Sequence, residues 1–406
     1  MRHQRVAVAV AALLAAGAAW ISVDLALSVQ RADASAHRAR LRVVTPSPAW
    51  LAPGAAFVVE GWAGAGAGVR VLANGRPIGR TRAGPLGRFS LRIRAPLRSG
   101  TYRLALSSAG ARIALEPLLV RPLVLAAVGD VNLGDRTADA ISSYGAAYPW
   151  TRVGSLLRSA DLAIANLECA VSSGGTPVSG KQYTFRGPPG ALPAAARAGI
   201  DVFSLANNHS LDFGSAALLD TRRHARRVGI ETVGGGADLA AARRPARFTL
   251  GGVRVAVLAY SDVRPLGFDA GPGRAGAAPA FPELVDPDIR RARRSSDVVI
   301  VYFHWGTELS TNPDSRQRRL ADLAFRAGAT VVLGAHPHVL QPIQRGGSKL
   351  VAWSLGNFVF AANSPGTTST GILVTHLGAR GVVGARLVPA TIDGVRPVLD
   401  APTPLR

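Results

Sequence analysis

Two of the chain's eight histidines flank a single proline in Gly334-Ala-His-Pro-His-Val339, directly after the apolar run Ala-Thr-Val-Val-Leu333. Residues i and i+2 of an extended chain point to the same side, and proline biases its predecessor toward extended geometry. His336 and His338 are therefore expected to turn both imidazoles toward one point, as paired metal ligands do. Similar chemistry follows other apolar runs. Asp130 and Asn132 close the first, Asn166 and Glu168 the second, and Asn207-Asn208-His209 with Asp212 the third. His304 and Glu308 lie in His-Trp-Gly-Thr-Glu, and Asn357 follows Gly356 in the last run. Carboxylate, amide and imidazole donors suit Mn, Fe or Zn rather than a thiolate site. Cys169 is the only cysteine, which excludes a thiolate cluster and an intramolecular disulfide.

Each fragment alone has a plainer reading. Gly129-Asp130 could be a turn, Glu168 a solvated or capping residue, and His304 a hydrogen-bonded core histidine. Asn208 or Asp212 could cap a helix by accepting backbone N–H groups. Arg186, in Tyr-Thr-Phe-Arg-Gly-Pro-Pro, reads either as an anion contact or as a surface arginine. Their recurrence at successive run ends is what argues for one shared site.

The elements that must position these residues begin near Leu123. The runs LVLAAVGD, DLAIANLE, DVFSLANNH, VRVAVLAYSD, DVVIVYFHWG and ATVVLGAHPH alternate with helical segments such as Ser215–Val228 and Ser315–Ala327. Continuous apolar strands between helices predict an α/β domain whose sheet is covered on both faces. Taken alone, the alternation fits an open parallel sheet, with ligands outside the carboxyl ends of the strands.

The preceding stretch, residues 50–122, reads as a small all-β domain. Its short runs AAFVVEGW, VRVLANGRPIG, GRFSLRIR and GTYRLALS are bounded by turn residues, and Asn74-Gly75 is a hairpin signal. The pattern resembles the immunoglobulin-like sandwiches of bacterial surface proteins and carries no catalytic cluster. Residues 31–49 read as a linker. At the start, Met1-Arg-His-Gln-Arg5 precedes the uncharged run Val6–Val23, which as a helix spans about 27 Å, close to the hydrocarbon thickness. Residues 1–30 are thus expected to be a signal anchor that places the rest outside the cytoplasm. Small residues at Ala16-Gly-Ala18 and Ala34-Ser-Ala36 keep a cleaved signal, and so a secreted protein, as the alternative.

The net charge is +22, and of 47 basic residues only Lys181 and Lys349 are lysines. A surface this basic is either simply solvated or attracts an acidic partner, such as an acidic polymer or anionic lipid. Basic runs interleaved with aromatics are absent, so no nucleic-acid partner is expected.

In order, VGDVNLG, ANLECAV, FSLANNHSLDFG, FHWGTE, GAHPHVLQ and SLGNFVF resemble the motifs of the CapA family, the capsule or poly-gamma-glutamate biosynthesis proteins within the calcineurin-like metallophosphatase superfamily. The likeness spans residues 123–396, about two thirds of the chain. It implies an α/β metallo-dependent phosphatase-like β-sandwich flanked by helices and one or two divalent metal ions. It further implies metal ligation by Asp130, Glu168, Asn208, His304, His336 and His338. Catalytic roles fall to His209 and Asp212, and substrate contacts to Asn132, Asn166, Arg186, Glu308 and Asn357. The implied substrate is a phosphoester or an anionic envelope polymer. The chain departs from the superfamily pattern where Asn132 replaces a histidine, and where Asn166 and Glu168 stand in place of a bridging aspartate. The implied activity is metal-assisted hydrolysis; a polymer export or anchoring factor that uses the metal site only for binding is the alternative.

Overall fold

In the computed structural model, which describes residues 41–401, the chain divides into two compact units. The described part of the first covers residues 41–50 and 56–120, and the second takes 51–55 and the chain from Arg121 onward. The expected N-terminal anchor lies outside the described residues. Among those described, no helix is long and apolar enough to cross a membrane.

The first unit is all strand. Arg88–Arg94 alternates strictly, burying Phe89, Leu91 and Ile93 while Arg88, Ser90, Arg92 and Arg94 stay exposed; this is the period of a half-buried strand. It pairs with Ala56–Trp62, and Gly68–Ala73 pairs with both Arg76–Arg82 and Leu104–Ser108. Between these sheets lies a core of Val59, Val69, Val71, Phe89, Leu91, Ile93 and Leu106. At Asn74-Gly75 both residues have positive φ, 48° and 81°, the geometry that lets a two-residue turn follow the strands' twist. One boundary shifts. Arg42–Val43, read as linker, pairs with Gly61 and Trp62 and so belongs to this unit's sheet.

The second unit is mixed α/β, and its main strands form two large sheets rather than one open sheet, with two small two-stranded ribbons beside them. The first runs Glu231–Val233, Val202–Ser204, Leu162–Leu167, Leu123–Val131, and then the antiparallel Ser369–Gly378, Gly381–Asp393 and Arg396–Leu399. Asn357–Val359 adds in parallel beyond Asp130. The second sheet runs Ala246–Leu250, Val253–Ser261, Val298–His304, Val331–Ala335, Lys349–Ala352 and Ile343–Gly346. The sheets lie against one another. Tyr302 in the second donates its hydroxyl to Val128 O of the first at 2.8 Å, so Tyr302 and its same-side neighbour His304 look into the space between them. The odd neighbours Val299, Val301 and Phe303 instead pack with Leu320 and Ala324 of the helix Ser315–Ala327.

The helices cover the outer faces. Gly214–Arg227, Leu192–Ala198 and Gly154–Arg158 bury Leu218, Ala195, Leu156 and Leu157 with Val124, Ala126 and Val128. Ser315–Ala327 starts at a reciprocal Asp314/Gln317 capping box and stops at Gly328; such ends fix helix length. The parallel strands of both sheets deliver their carboxyl ends to one side of the unit, and Gly129 shows how tightly. A Cβ there would lie 1.8 Å from Gly356 O, so only glycine lets Asp130 reach its place.

Candidate metal centre

Asp130, the penultimate residue of its strand, is fully buried. Its Oδ1 accepts from Asn166 Nδ2 at 2.9 Å, and its Oδ2 from the His336 backbone N–H at 3.2 Å. Asn166 also sets its Nδ2 3.2 Å from His304 Nδ1 and accepts from Asn207 Nδ2 at 3.1 Å. The other His304 nitrogen, Nε2, is 2.7 Å from Asn208 Oδ1 and 3.4 Å from Glu168 Oε1. His338 Nδ1 sits 3.3 Å from Asp130 Oδ2 and 2.8 Å from Asn357 Oδ1, with Nε2 3.9 Å from Glu168 Oε1. Two groups of donors result, Asp130/Glu168/His304 and Glu168/His336/His338, each with its atoms within 4.8 Å of one another. Glu168 belongs to both.

Whether this set fits a cation is answered by what its atoms lack. Both Glu168 oxygens and His336 Nδ1 are buried without a hydrogen-bond partner. A buried carboxylate left so costs several kcal/mol, roughly, unless a charge compensates it. Oxygen and imidazole donors around such a carboxylate fit a divalent first-row cation.

Protonation follows the same geometry. Burial, then the neighbouring Asp130 charge, hold the Glu168 carboxyl well above the usual carboxylate range. Burial, with repulsion from His338, lowers His336 to about 4. Burial likewise depresses His304, with His336 and His338 adding to it. His338 goes the other way: burial lowers it, but the Glu168 charge and the Asp130 contact outweigh that and raise it to about 10. Two imidazoles thus keep free electron pairs at neutral pH, while His338 holds a proton between two carboxylates. That proton occupies electrostatic ground a cation would take, and cation uptake would release it.

Beside the cluster, His209 Nδ1 lies 2.7 Å from Asp212 Oδ2. Asp212 also accepts from the Phe185 backbone N–H at 2.7 Å, and its Oδ1 is ion-paired with Lys181. Lys181 further bonds Asn208 O. The Phe185 ring covers His209 at 4.4 Å between centroids, and Phe360 covers His338 at 5.1 Å. Burial lowers His209, against the opposing pull of Asp212. A carboxylate on Nδ1 fixes the tautomer and leaves Nε2 for proton exchange.

The structure therefore gathers Asp130, Asn166, Glu168, Asn208, His304, His336 and His338, with His209 and Asp212 alongside and Asn357 behind His338. Three expected substrate contacts are placed otherwise. Asn132 turns its amide oxygen onto Gly134 N–H at 2.8 Å, closing its own turn. Arg186 is exposed, stacks 4.4 Å from the Phe213 ring centre and directs Nη1 to Gly174 O and Gly175 O. Glu308 is exposed, one residue before Leu309, whose N–H donates to Pro337 O at 2.8 Å; it stands at the rim. The geometry expected of His-Pro-His is also corrected. His336 and His338 have positive φ, 98° and 57°, so a tight turn brings the rings to 5.9 Å. Such conformations cost about 1–3 kcal/mol each and gather at functional sites.

Lys181 is the residue sequence reasoning missed. Its only signal is rarity, one of two lysines in an arginine-rich chain. Cys169, next to Glu168, is no ligand: burial pushes its thiol up to about 12, and Sγ accepts from Leu133 N–H at 3.3 Å. Alkylation of the native protein is accordingly expected to run at least about a hundredfold slower than in denaturant; rapid native labelling would show that this strand end is open.

A mixed α/β protein of two facing sheets, with carboxylates and imidazoles converging at the strand ends, defines a class of candidate metal-binding protein. Residues 124–362 match the family described as "Bacterial capsule synthesis protein PGA_cap", and the chain belongs to that family. It is 30% identical over 272 residues to the PGA biosynthesis protein CapA of Bacillus subtilis (strain 168), covering 66% of this chain and 72% of that one. To the capsule biosynthesis protein CapA of Bacillus anthracis it is 29% identical over 288 residues, covering 69% and 70%. Among solved structures, Haemophilus influenzae NAD nucleotidase (NadN) overlaps with a TM-score of 0.42 at 12% identity, covering 66% of this chain and 56% of that one. A likeness of that size carries no argument about the site.

Proposed function

We propose that this protein takes part in the biosynthesis of a capsule or anionic envelope polymer of the poly-gamma-glutamate type, as a divalent-metal-dependent hydrolase of a phosphoester or amide. The family and the relatives' printed names support the biosynthetic setting. The observation that carries the chemistry is the Glu168 carboxylate, buried and unpartnered at the junction of two donor groups. In this reading residues 1–30 anchor the chain in the membrane, the all-β unit is an immunoglobulin-like spacer, and the second unit works outside the cytoplasm.

Asp130, Glu168, Asn208, His304, His336 and His338 would hold the cation. Bound there, it would supply Lewis-acid polarisation of the scissile group and of an attacking water. His209 would deliver a proton from Nε2 to the leaving atom. Asp212 orients the ring through Nδ1 and favours the doubly protonated imidazolium that this step needs, and Lys181 compensates the buried Asp212 charge. Phe185 and Phe360 shield the two exposed-side imidazoles from bulk water.

The test is metal removal and return. Protein stripped with EDTA is expected to lose all turnover of a generic phosphodiester and of gamma-glutamyl oligomers, and to regain it with Mn, Fe or Zn. Stoichiometric metal binding without turnover of either substrate class would instead support the export or anchoring role, in which the cation only binds the polymer. Absence of metal binding would sink both.

A further inference from the structure

A second feature of the same unit lies away from the cation cluster. The helix Gly214–Arg227 ends beside the edge strands of both sheets, Glu231–Val233 and Ala246–Leu250. There the last helical turns and the segment before Ala246 enclose a pocket of about 420 Å³ lined by Arg222, Arg223, Arg226 and Arg244, with Glu231 as its one carboxylate. Arg223 is ion-paired with Asp220 at 2.7 Å. Arg222 is not so matched: its Nε is shut off from solvent with no hydrogen-bond partner. Burial and the charges of Arg244 and Arg226 hold its guanidinium below the ordinary arginine range.

Like charges gathered around a concavity repel unless an anion enters, and a guanidinium fork matches a carboxylate or phosphate with two parallel hydrogen bonds. The volume, near the lower end of the roughly 300–1,000 Å³ range of small-ligand pockets, admits a short stretch of chain and not a folded partner. No aromatic residue lines it, which removes the stacking platform that single-stranded nucleic acid uses. Glu231 in the wall disfavours a dianionic phosphate more than a single carboxylate. The pocket is also remote. Gly214 follows Asp212 by two residues, and the helix carries Arg226 about 18 Å away at 1.5 Å per residue.

We propose that this arginine pocket is a second binding site for an acidic polymer, taking its carboxylates one or two at a time while another stretch of the same chain lies at the cation cluster. Only the choice of ligand rests on the proposed polymer role. Occupying two sites on one protein makes the second binding step intramolecular, so affinity rises with polymer length once the chain can span the gap.

The test uses the full chain, stripped with EDTA, and a fluorescent gamma-glutamyl decamer as probe. Arg226→Gln with Arg244→Gln is expected to raise the decamer's Kd at least about tenfold and to make its salt dependence shallower by about two ion equivalents. Arg244→Lys, which keeps the charge and loses the fork, is expected to fall between. Melting temperature of the stripped protein, and metal content and any turnover of a small phosphodiester once metal is returned, should match the parent. An unchanged decamer Kd in the double variant overturns the proposal. So does tighter, equally arginine-dependent binding of polyphosphate or of single-stranded RNA of the same charge, which would make the pocket a phosphate site. Because the stripped protein cannot turn over, failure of the hydrolytic reading leaves this result standing, and the reverse holds too.

Discussion

Glu168→Gln is expected to abolish metal loading, and with it metal-dependent turnover by at least about a thousandfold, while making the metal-free protein more stable. Glu168 is shared by both donor groups, so neutralising it removes the charge that either cation position relies on. A ligand that binds only the folded state stabilises it by about 2.7 kcal/mol at a hundred times its Kd. The parent should therefore melt at a visibly higher temperature with metal than without, and the variant should show no such rise. In the metal-free state the sign reverses. Two buried carboxylate oxygens without hydrogen bonds are a liability; burial and the Asp130 charge outweigh the His338 attraction in disfavouring the ionised Glu168, and replacing it by a neutral amide should gain about 1–3 kcal/mol. His338 keeps Asp130 at 3.3 Å, so it is not left alone. Calorimetry of both proteins with and without metal checks the claim. Equal metal-induced shifts in parent and variant would remove Glu168 from the ligand set.

How much of this could be read from the chain alone differs by element. The strands were legible because Leu123–Val131 and Val298–His304 are buried throughout and apolar up to Asp130 and His304, and the helix Ser315–Ala327 because its Asp314 cap and Gly328 stop are written in sequence. Their division between two sheets was not legible. A strand with helices on both sides and one with a helix on one side and a sheet on the other demand the same continuous apolar run. The donors were legible as types, since acids, amides and imidazoles at run ends are rare enough to notice. Their local geometry was not. Proline suggested an extended His336-Pro-His338, whereas the backbone turns through positive φ at both histidines and reaches convergence by another path. Residues that meet only through long-range packing left the least trace. Lys181 comes from a loop with no periodicity, and it finds Asp212 because the chain from Gly174 to Phe185 passes back over the segment that bears His209. Arg186 carried the right charge for contact with an anionic substrate, but tertiary context spends it on Phe213, and Glu308 is left at the rim.

Asp212→Asn is expected to lower turnover by about a hundredfold to ten-thousandfold with metal content preserved, in keeping with general-acid contributions and with the loss of a tautomer-fixing carboxylate. Asp212 touches none of the cation-cluster donors; it acts through His209 Nδ1 at 2.7 Å and is therefore a positioning residue. A structural role alone would also damage the variant. Asp212 is fully buried, and removing its charge strands the Lys181 ammonium, which burial already destabilises; losing one partner of a buried pair costs about 3–5 kcal/mol. The two roles separate in the double variant. Adding Lys181→Met removes the stranded charge and should recover much of the lost stability. It should recover none of the turnover, because His209 still lacks its carboxylate. The pH profile gives the second readout: with Asp212 gone, the force that raises His209 against burial disappears, so the alkaline limb set by loss of the His209 proton should move to lower pH. Recovery of turnover in step with stability in the Asp212→Asn/Lys181→Met protein, with an unmoved pH profile, would reduce the pair to a packing device and leave the cation cluster without its proton donor.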